Sequence, residues 1–270
     1  MMKVLFAALA LAAAAPAAAQ QAGVSMHAFE CGTAPGRDVG MFSDTHAFPG
    51  VKRDFVAGCF LIRHSKGILL WDAGMTPDLI GQPPAGGWSL KQSIPERLKA
   101  LGLTPAQVTH VGISHHHADH SGGARDFPTA ELLIGKGDWD ALKAMKPDDR
   151  GAAQLAHWLT GGGKATPVAA DKDVFGDGSV TILAMPGHTP GHTALLVRLA
   201  SGPVLLSGDQ YHFRENREAR GVPTFNTNRA DTLASLHRFK AIARNLKATV
   251  VIQHEPADVA KLPAFPQAAE

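Results

Sequence analysis

The stretch Ser114-His115-His116-His117-Ala118-Asp119-His120-Ser121-Gly122-Gly123 decides how the rest of this chain is read. It follows residues 108–113, an apolar run in which only Thr109 and His110 are polar. It therefore stands where a buried strand ends and a glycine-containing turn begins. The carboxyl ends of strands are where α/β proteins place their chemistry. Between His115 and His120 lie four imidazoles and one carboxylate, a donor set suited to a borderline metal such as zinc. The competing explanation is a solvated loop that is histidine-rich by chance, and the density of the cluster beside a buried strand argues against it.

Downstream, 130–134 reads as the next strand and 138–145 as a helix with Trp139 and Leu142 on one face. A helix over 152–159 ends at Gly161-Gly162-Gly163. Strands at 180–184, 193–199 and 204–206 each end close to a histidine or carboxylate: His188 and His192 in Pro186-Gly187-His188-Thr189-Pro190-Gly191-His192, and Asp209 in Ser207-Gly208-Asp209. Residues 211–228 are polar, arginine-rich and proline-containing, a loop near the site. The clearest helix is 229–246, where Leu233, Leu236, Phe239, Lys240, Ala243 and Leu246 step at three or four residues. The last strand, 249–252, carries His254 just past its end.

Upstream, 24–30 reads as a first strand. Residues 31–55 lack periodicity and carry Met41, Phe42, Phe48 and Phe55, the signature of a binding loop. A hairpin is expected from 56–64 and 67–71, turning at Ser65-Lys66 and ending in Asp72-Ala73-Gly74. Residues 75–94, with Trp88, form another loop over a strand end, and 95–101 a short helix with Ser93 as N-cap and Gly102 as its stop. Asp72, beside a glycine turn, reads as a cap for the loop of the opening motif. The strands fall into two groups with helices interspersed. Two mixed sheets packed face to face, with helices on the outer faces, satisfy that order.

The chain opens Met1-Met2-Lys3, runs apolar from Val4 to Ala15, and reaches Pro16-Ala17-Ala18-Ala19. This pattern predicts a signal peptide over 1–19, leaving 20–270 as one soluble, exported domain, periplasmic or secreted, with no membrane insertion once the leader is removed. With 26 basic and 24 acidic residues, nothing favours a nucleic-acid partner or an anionic membrane. The expected partner is a small-molecule substrate, and the assembly a monomer or homodimer. Cys31 and Cys59 are the two cysteines; in an oxidising compartment they either pair or remain two buried, inert thiols.

In order, the chain presents His-x-His-x-Asp-His, Gly-His-x-x-Gly-His, Gly-Asp and a final His, with the earlier Asp72-Ala73-Gly74 turn. This series resembles the metallo-β-lactamase-fold hydrolases, and within them the N-acyl homoserine lactonase group. The resemblance implies a four-layer αββα sandwich. It also implies two Zn2+ ions, one bound by His115, His117 and His188, the other by Asp119, His120 and His254, with Asp209 bridging. The implied reaction is lactone opening by a metal-bound hydroxide, with Asp119 as both ligand and acid/base.

In that group a tyrosine shortly after the bridging aspartate bonds the substrate carbonyl. Here Asp209-Gln210-Tyr211-His212 offers Tyr211 or His212 for the same duty. His116 and His192 are expected to serve packing or support rather than ligation. The alternatives are an exported β-lactamase, or a promiscuous esterase or thioesterase of the same fold. β-Lactamases of this kind generally lack the bridging carboxylate. The sixteen residues after His254 are too few for the C-terminal glutathione-binding segment of glyoxalase-type thioesterases. The acyl pocket is expected from the apolar loops at 41–55 and 75–88.

Overall fold

Alternation of side chains along the strands separates the apolar cores of the computed structural model, which describes residues 23–270. The expected leader at 1–19 lies outside the described residues. Eleven strands are formed: β1 (Ser25–Asp38), β2 (Lys52–His64), β3 (Gly67–Trp71), β4 (His110–Ile113), β5 (Glu131–Gly135), β6 (Ala165–Val168), β7 (Lys172–Asp173), β8 (Val180–Ala184), β9 (Thr193–Leu199), β10 (Gly202–Leu206) and β11 (Thr249–Val251). The first six make one sheet in sequence order, and the remaining five a second sheet in the order β11-β10-β9-β8-β7. Both sheets are mixed. β1, β2 and β3 pair antiparallel and β3 to β6 parallel. In the second sheet β10 and β11 are parallel and the other pairs antiparallel.

Leu69 and Trp71 of β3 face the second sheet, meeting Leu195, Val197, Val204 and Leu206. Leu70 between them faces the other way, into a core with Leu98, Phe127, Leu142 and Trp158 from the helices outside the first sheet. In β9, Leu195 and Val197 point inward, while Ala194 and Leu196 meet Leu236, Phe239 and Ala243 of the helix Arg229–Leu246. Helix, sheet, sheet and helix thus stack as four layers, as expected. The helix Ile94–Ala100 begins at Ser93 with a full capping box to Glu96. No helix among the described residues is long and apolar enough to cross a membrane.

Three expectations need correction. Residues 31–55 are strand over about half their length, because β1 runs on to Asp38 and β2 starts at Lys52. The period of two is hidden by register shifts between Glu30 and Thr33 and between Ala34 and Arg37. Such bulges change which face a residue takes. The short strands β6 and β7 were not anticipated, and the polar segment 211–228 contains a helix, Arg214–Ala219. Cys31 and Cys59, on neighbouring strands with Cα atoms 5.9 Å apart, form a disulfide.

Candidate metal centre

The opening motif leaves the end of β4 and turns into a short helix, Ala118–Ser121. Gly122 and Gly123 let this turn press on the end of β3: their N–H groups donate to Gly74 O and Ala73 O at 2.8 and 3.0 Å. A Cβ on Gly122 would lie 2.3 Å from the Thr76 nitrogen, so no larger residue fits. His188 and Asp209 follow β8 and β10 of the second sheet, and His254 follows β11. The centre therefore sits where strand ends of both sheets meet.

Seven side chains converge there in two groups. His115, His117, His188 and Asp209 form one, and Asp119, His120 and His254 the other, with the donor atoms of each group within 4.8 Å of one another. Asp209 faces both. Its Oδ2 lies 3.5 Å from His115 Nε2 and 3.3 Å from His188 Nε2, while its Oδ1 lies 3.2 Å from His120 Nε2 and 3.0 Å from His254 Nε2. Asp119 Oδ2 stands 3.6 Å from His254 Nε2.

The outward ring nitrogens are held by the protein. His188 Nδ1 donates to Asn226 Oδ1 (2.8 Å), His254 Nδ1 to Val56 O (2.8 Å), His120 Nδ1 to Asp72 Oδ2 (2.8 Å) and His115 Nδ1 to Ser114 Oγ (3.1 Å). These bonds leave the Nε2 lone pairs aimed at one another: His120 and His254 at 3.1 Å, and His115 and His188 each about as far from His117 Nδ1, at 3.0 and 3.1 Å. Lone pairs meeting this closely in a buried site call for cations between them. The donor chemistry fits zinc, with neutral imidazoles and a shared carboxylate.

Charge within the centre follows the same division. Burial pushes His117 down to about 4, and His115 well below its ordinary value. Burial also opposes charge on His120 and His254, yet the Asp209 carboxylate, joined by Asp72 on the first and Asp119 on the second, raises both. In turn, Asp209 is held well below the ordinary carboxylate range despite its burial, by His254, His212, His120 and His115.

Around the ligands the supports are specific. Asp72, at the end of β3 with a left-handed φ of 54°, accepts from Ser114 N (2.6 Å), Ser114 Oγ (2.8 Å) and Gln253 Nε2 (2.7 Å) as well as from His120. It caps the ligand loop as expected and also orients a ligand. Asp138 accepts from His116 N, Thr189 Oγ1 and Gly191 N, tying the loop of His115 and His117 to that of His188. His116 turns to Asp138, Nδ1 to Oδ2 3.1 Å, and away from the centre. Burial drives His192 down to about 3, and its neutral Nε2 accepts from the Asp209 N–H at 2.9 Å. Asp138, Asn226 and Gln253 went unnoticed in the sequence. No spacing rule marks such partners.

Tyr211 and His212 part company. Tyr211 is extended, at φ −143° and ψ 148°, a conformation that sends successive side chains to opposite sides. His212 points inward, its Nε2 3.1 Å from Asp209 Oδ2. Tyr211 points outward, edge-on to Phe239 and beneath the Arg217 guanidinium. Of the two, His212 borders the cavity over the centre and Tyr211 does not. A cavity of about 250 Å³ opens over the centre, bounded by Arg37, Met41, Phe42, Phe55, Trp88, His212 and Phe225 above His117, Asp119, Asp209 and His254. Both anticipated apolar loops contribute to it. Arg37 and Phe225 were not singled out in the sequence.

Residues 54–254 match the model of the metallo-beta-lactamase superfamily. This chain belongs to that superfamily. Among curated relatives of this superfamily member, an N-acyl homoserine lactonase AttM of Rhizobium radiobacter is 32% identical over 237 residues, covering 76% of this chain and 85% of that protein. An N-acyl homoserine lactonase of a Bacillus species is 26% identical over 231 residues, covering 81% and 89%. A solved quorum-quenching N-acyl homoserine lactone lactonase shares the fold at a TM-score of 0.77 and 22% identity, covering 92% of this chain and 99% of its own. A second, an N-acyl homoserine lactone hydrolase with the product N-hexanoyl-L-homoserine at its catalytic metal centre, superposes at 0.75 and 22% identity, covering 92% and 100%.

Proposed function

We propose that this protein is an exported dinuclear zinc hydrolase that opens N-acyl homoserine lactones. The observation that carries the reading is Asp209, whose two oxygens each face a separate histidine group. Relatives named as N-acyl homoserine lactonases over most of the chain support the substrate class. The disulfide and the sequence of residues 1–19 support export.

The seven side chains would hold two zinc ions, which when bound would supply Lewis acidity and lower the pKa of water toward neutrality. The protein's own groups do the rest. Asp119 has 22% of its side chain exposed, against 2% for His254 and 5% for Asp209, so it is the carboxylate open to the pocket. It orients the attacking water and passes a proton to the ring oxygen as that oxygen leaves. Burial sets His212 down to about 4, so it is neutral at pH 7; its one N–H, on Nε2, rests on Asp209 Oδ2 at 3.1 Å and turns to the oxyanion as that charge develops beside it. The rings of Phe42, Phe55, Trp88 and Phe225 wall off water and receive the apolar acyl arm.

The test is a panel of N-hexanoyl homoserine lactone, a simple aliphatic lactone and a β-lactam, with metal analysis of the same protein. The expected result is two zinc ions per chain, preference for the acyl lactone, and a product heavier by one water. Preference for the β-lactam, or no lactone turnover by zinc-loaded protein, would overturn the reading.

A further inference from the structure

Arg37 brings a guanidinium to the lip of the cavity. It follows a bulge: the pairing of β1 with β2 shifts register between Ala34 and Arg37, and Gly36 in the gap takes a φ of 63°. That irregularity re-aims the next side chain. The guanidinium is then fixed against two aromatic walls, 5.7 Å from the Trp88 ring centroid and 5.9 Å from that of Phe55. Its Nη1 donates to Gly86 O at 3.1 Å. Among the described residues this is its one hydrogen bond, and no carboxylate pairs with it. Most of its N–H donors therefore remain free in a half-buried site.

The same cavity holds two other charged side chains, Asp119 and Asp209, and both belong to the metal groups. Arg37 is thus a held cation in that cavity, with no carboxylate of the described residues in an ion pair with it. An alkyl arm alone would cover those donors without satisfying them, a costly arrangement. A planar, two-oxygen acceptor matches the guanidinium fork best.

The geometry points to Arg37 as a specificity-determining residue that selects lactones whose exocyclic arm carries a hydrogen-bond acceptor beyond its amide, a terminal carboxylate above all. This rests on the lactonase reading and narrows it. The substrate class becomes lactones with an anionic or oxo-substituted acyl arm rather than a plain alkyl one.

The test compares three arms of matched length on one homoserine lactone ring: N-hexanoyl, its analogue with a ketone on the third acyl carbon, and N-glutaryl, which ends in a carboxylate. In the zinc-loaded wild type, kcat/KM should rise in that order, with the glutaryl arm ahead of hexanoyl by about tenfold, mostly through KM. Arg37→Met should erase the order and Arg37→Lys should restore part of it, with zinc content unchanged in both. An Arg37→Met variant that keeps the wild-type ratios, or a wild type that favours the plain arm, would overturn the assignment while leaving lactone hydrolysis standing. Failure of the wild type on all three arms would overturn the lactonase reading itself.

Discussion

His120 donates through Nδ1 to the carboxylate of Asp72 at 2.8 Å, and neither side chain is exposed beyond a trace. Asp72 thereby fixes which nitrogen of His120 faces the centre, and its charge makes that nitrogen a better ligand. Asp72→Asn keeps the volume and removes the charge. It is expected to weaken zinc at the His120 group by about 10–100-fold. Competition against a fluorescent chelator measures this; wild-type affinity for both ions in the variant would refute it.

Asp209→Asn should cost more, because an amide presents a single oxygen where two are required. Zinc content should fall from two toward one per chain, and lactone turnover should drop beyond the loss seen with Asp72→Asn. Elemental analysis after gel filtration decides the point, with two retained ions as the contrary outcome.

Neighbouring residues should answer differently to substitution. His212→Phe removes the N–H that rests on Asp209 at the floor of the cavity and should lower kcat by about 10²-fold, the usual cost of one oxyanion donor. Tyr211→Phe, whose hydroxyl lies on the other side of the segment near Arg217, should leave kcat close to wild type. Equal losses from the two variants would mean that their opposed orientations do not govern catalysis.

The histidines pull stability in opposite directions with pH. His120 and His254 have raised values in the fold. Their contribution is therefore complete below about 6.5, the unfolded value, and is lost as pH rises through the folded values. His117 and His212, pushed down to about 4, are neutral in the fold and subtract stability as pH falls from the unfolded value toward 4. Chelated protein should therefore melt highest near pH about 6.5 and lower on either side. In zinc-loaded protein, cations replace the protons of His120 and His254, and the alkaline decline should vanish. Melting curves with and without chelator across this range test both halves; an alkaline decline that persists with zinc would refute the second.

The residues that cluster at the centre were legible because they follow short apolar runs. Strand ends can be read from the run, and imidazole-rich triplets are rare enough to stand out. The partners that orient those ligands were not, since Asp138, Asn226 and Gln253 act across folds of the chain that have no fixed spacing. The first sheet was under-read for another reason. Between Cys31 and Arg37 two register shifts break the alternation that marks a strand, so a real strand looked like a loop and Arg37 lost its significance. Tyr211 and His212 show the finest limit: adjacency places both near Asp209, and only the backbone angles set their side chains on opposite sides.

Each sheet is drawn from one continuous half of the chain, β1 to β6 before exposed Ala169 and Ala170 and β7 to β11 after them. His115, His117, Asp119 and His120 belong to the first half, and His188, Asp209 and His254 to the second. Metal ions held by these residues would therefore tie the two halves together at one end of the apolar core they share. A chain nicked between exposed Ala169 and Ala170 is therefore expected to stay associated more firmly with zinc than after chelation, which gel filtration of the nicked protein measures.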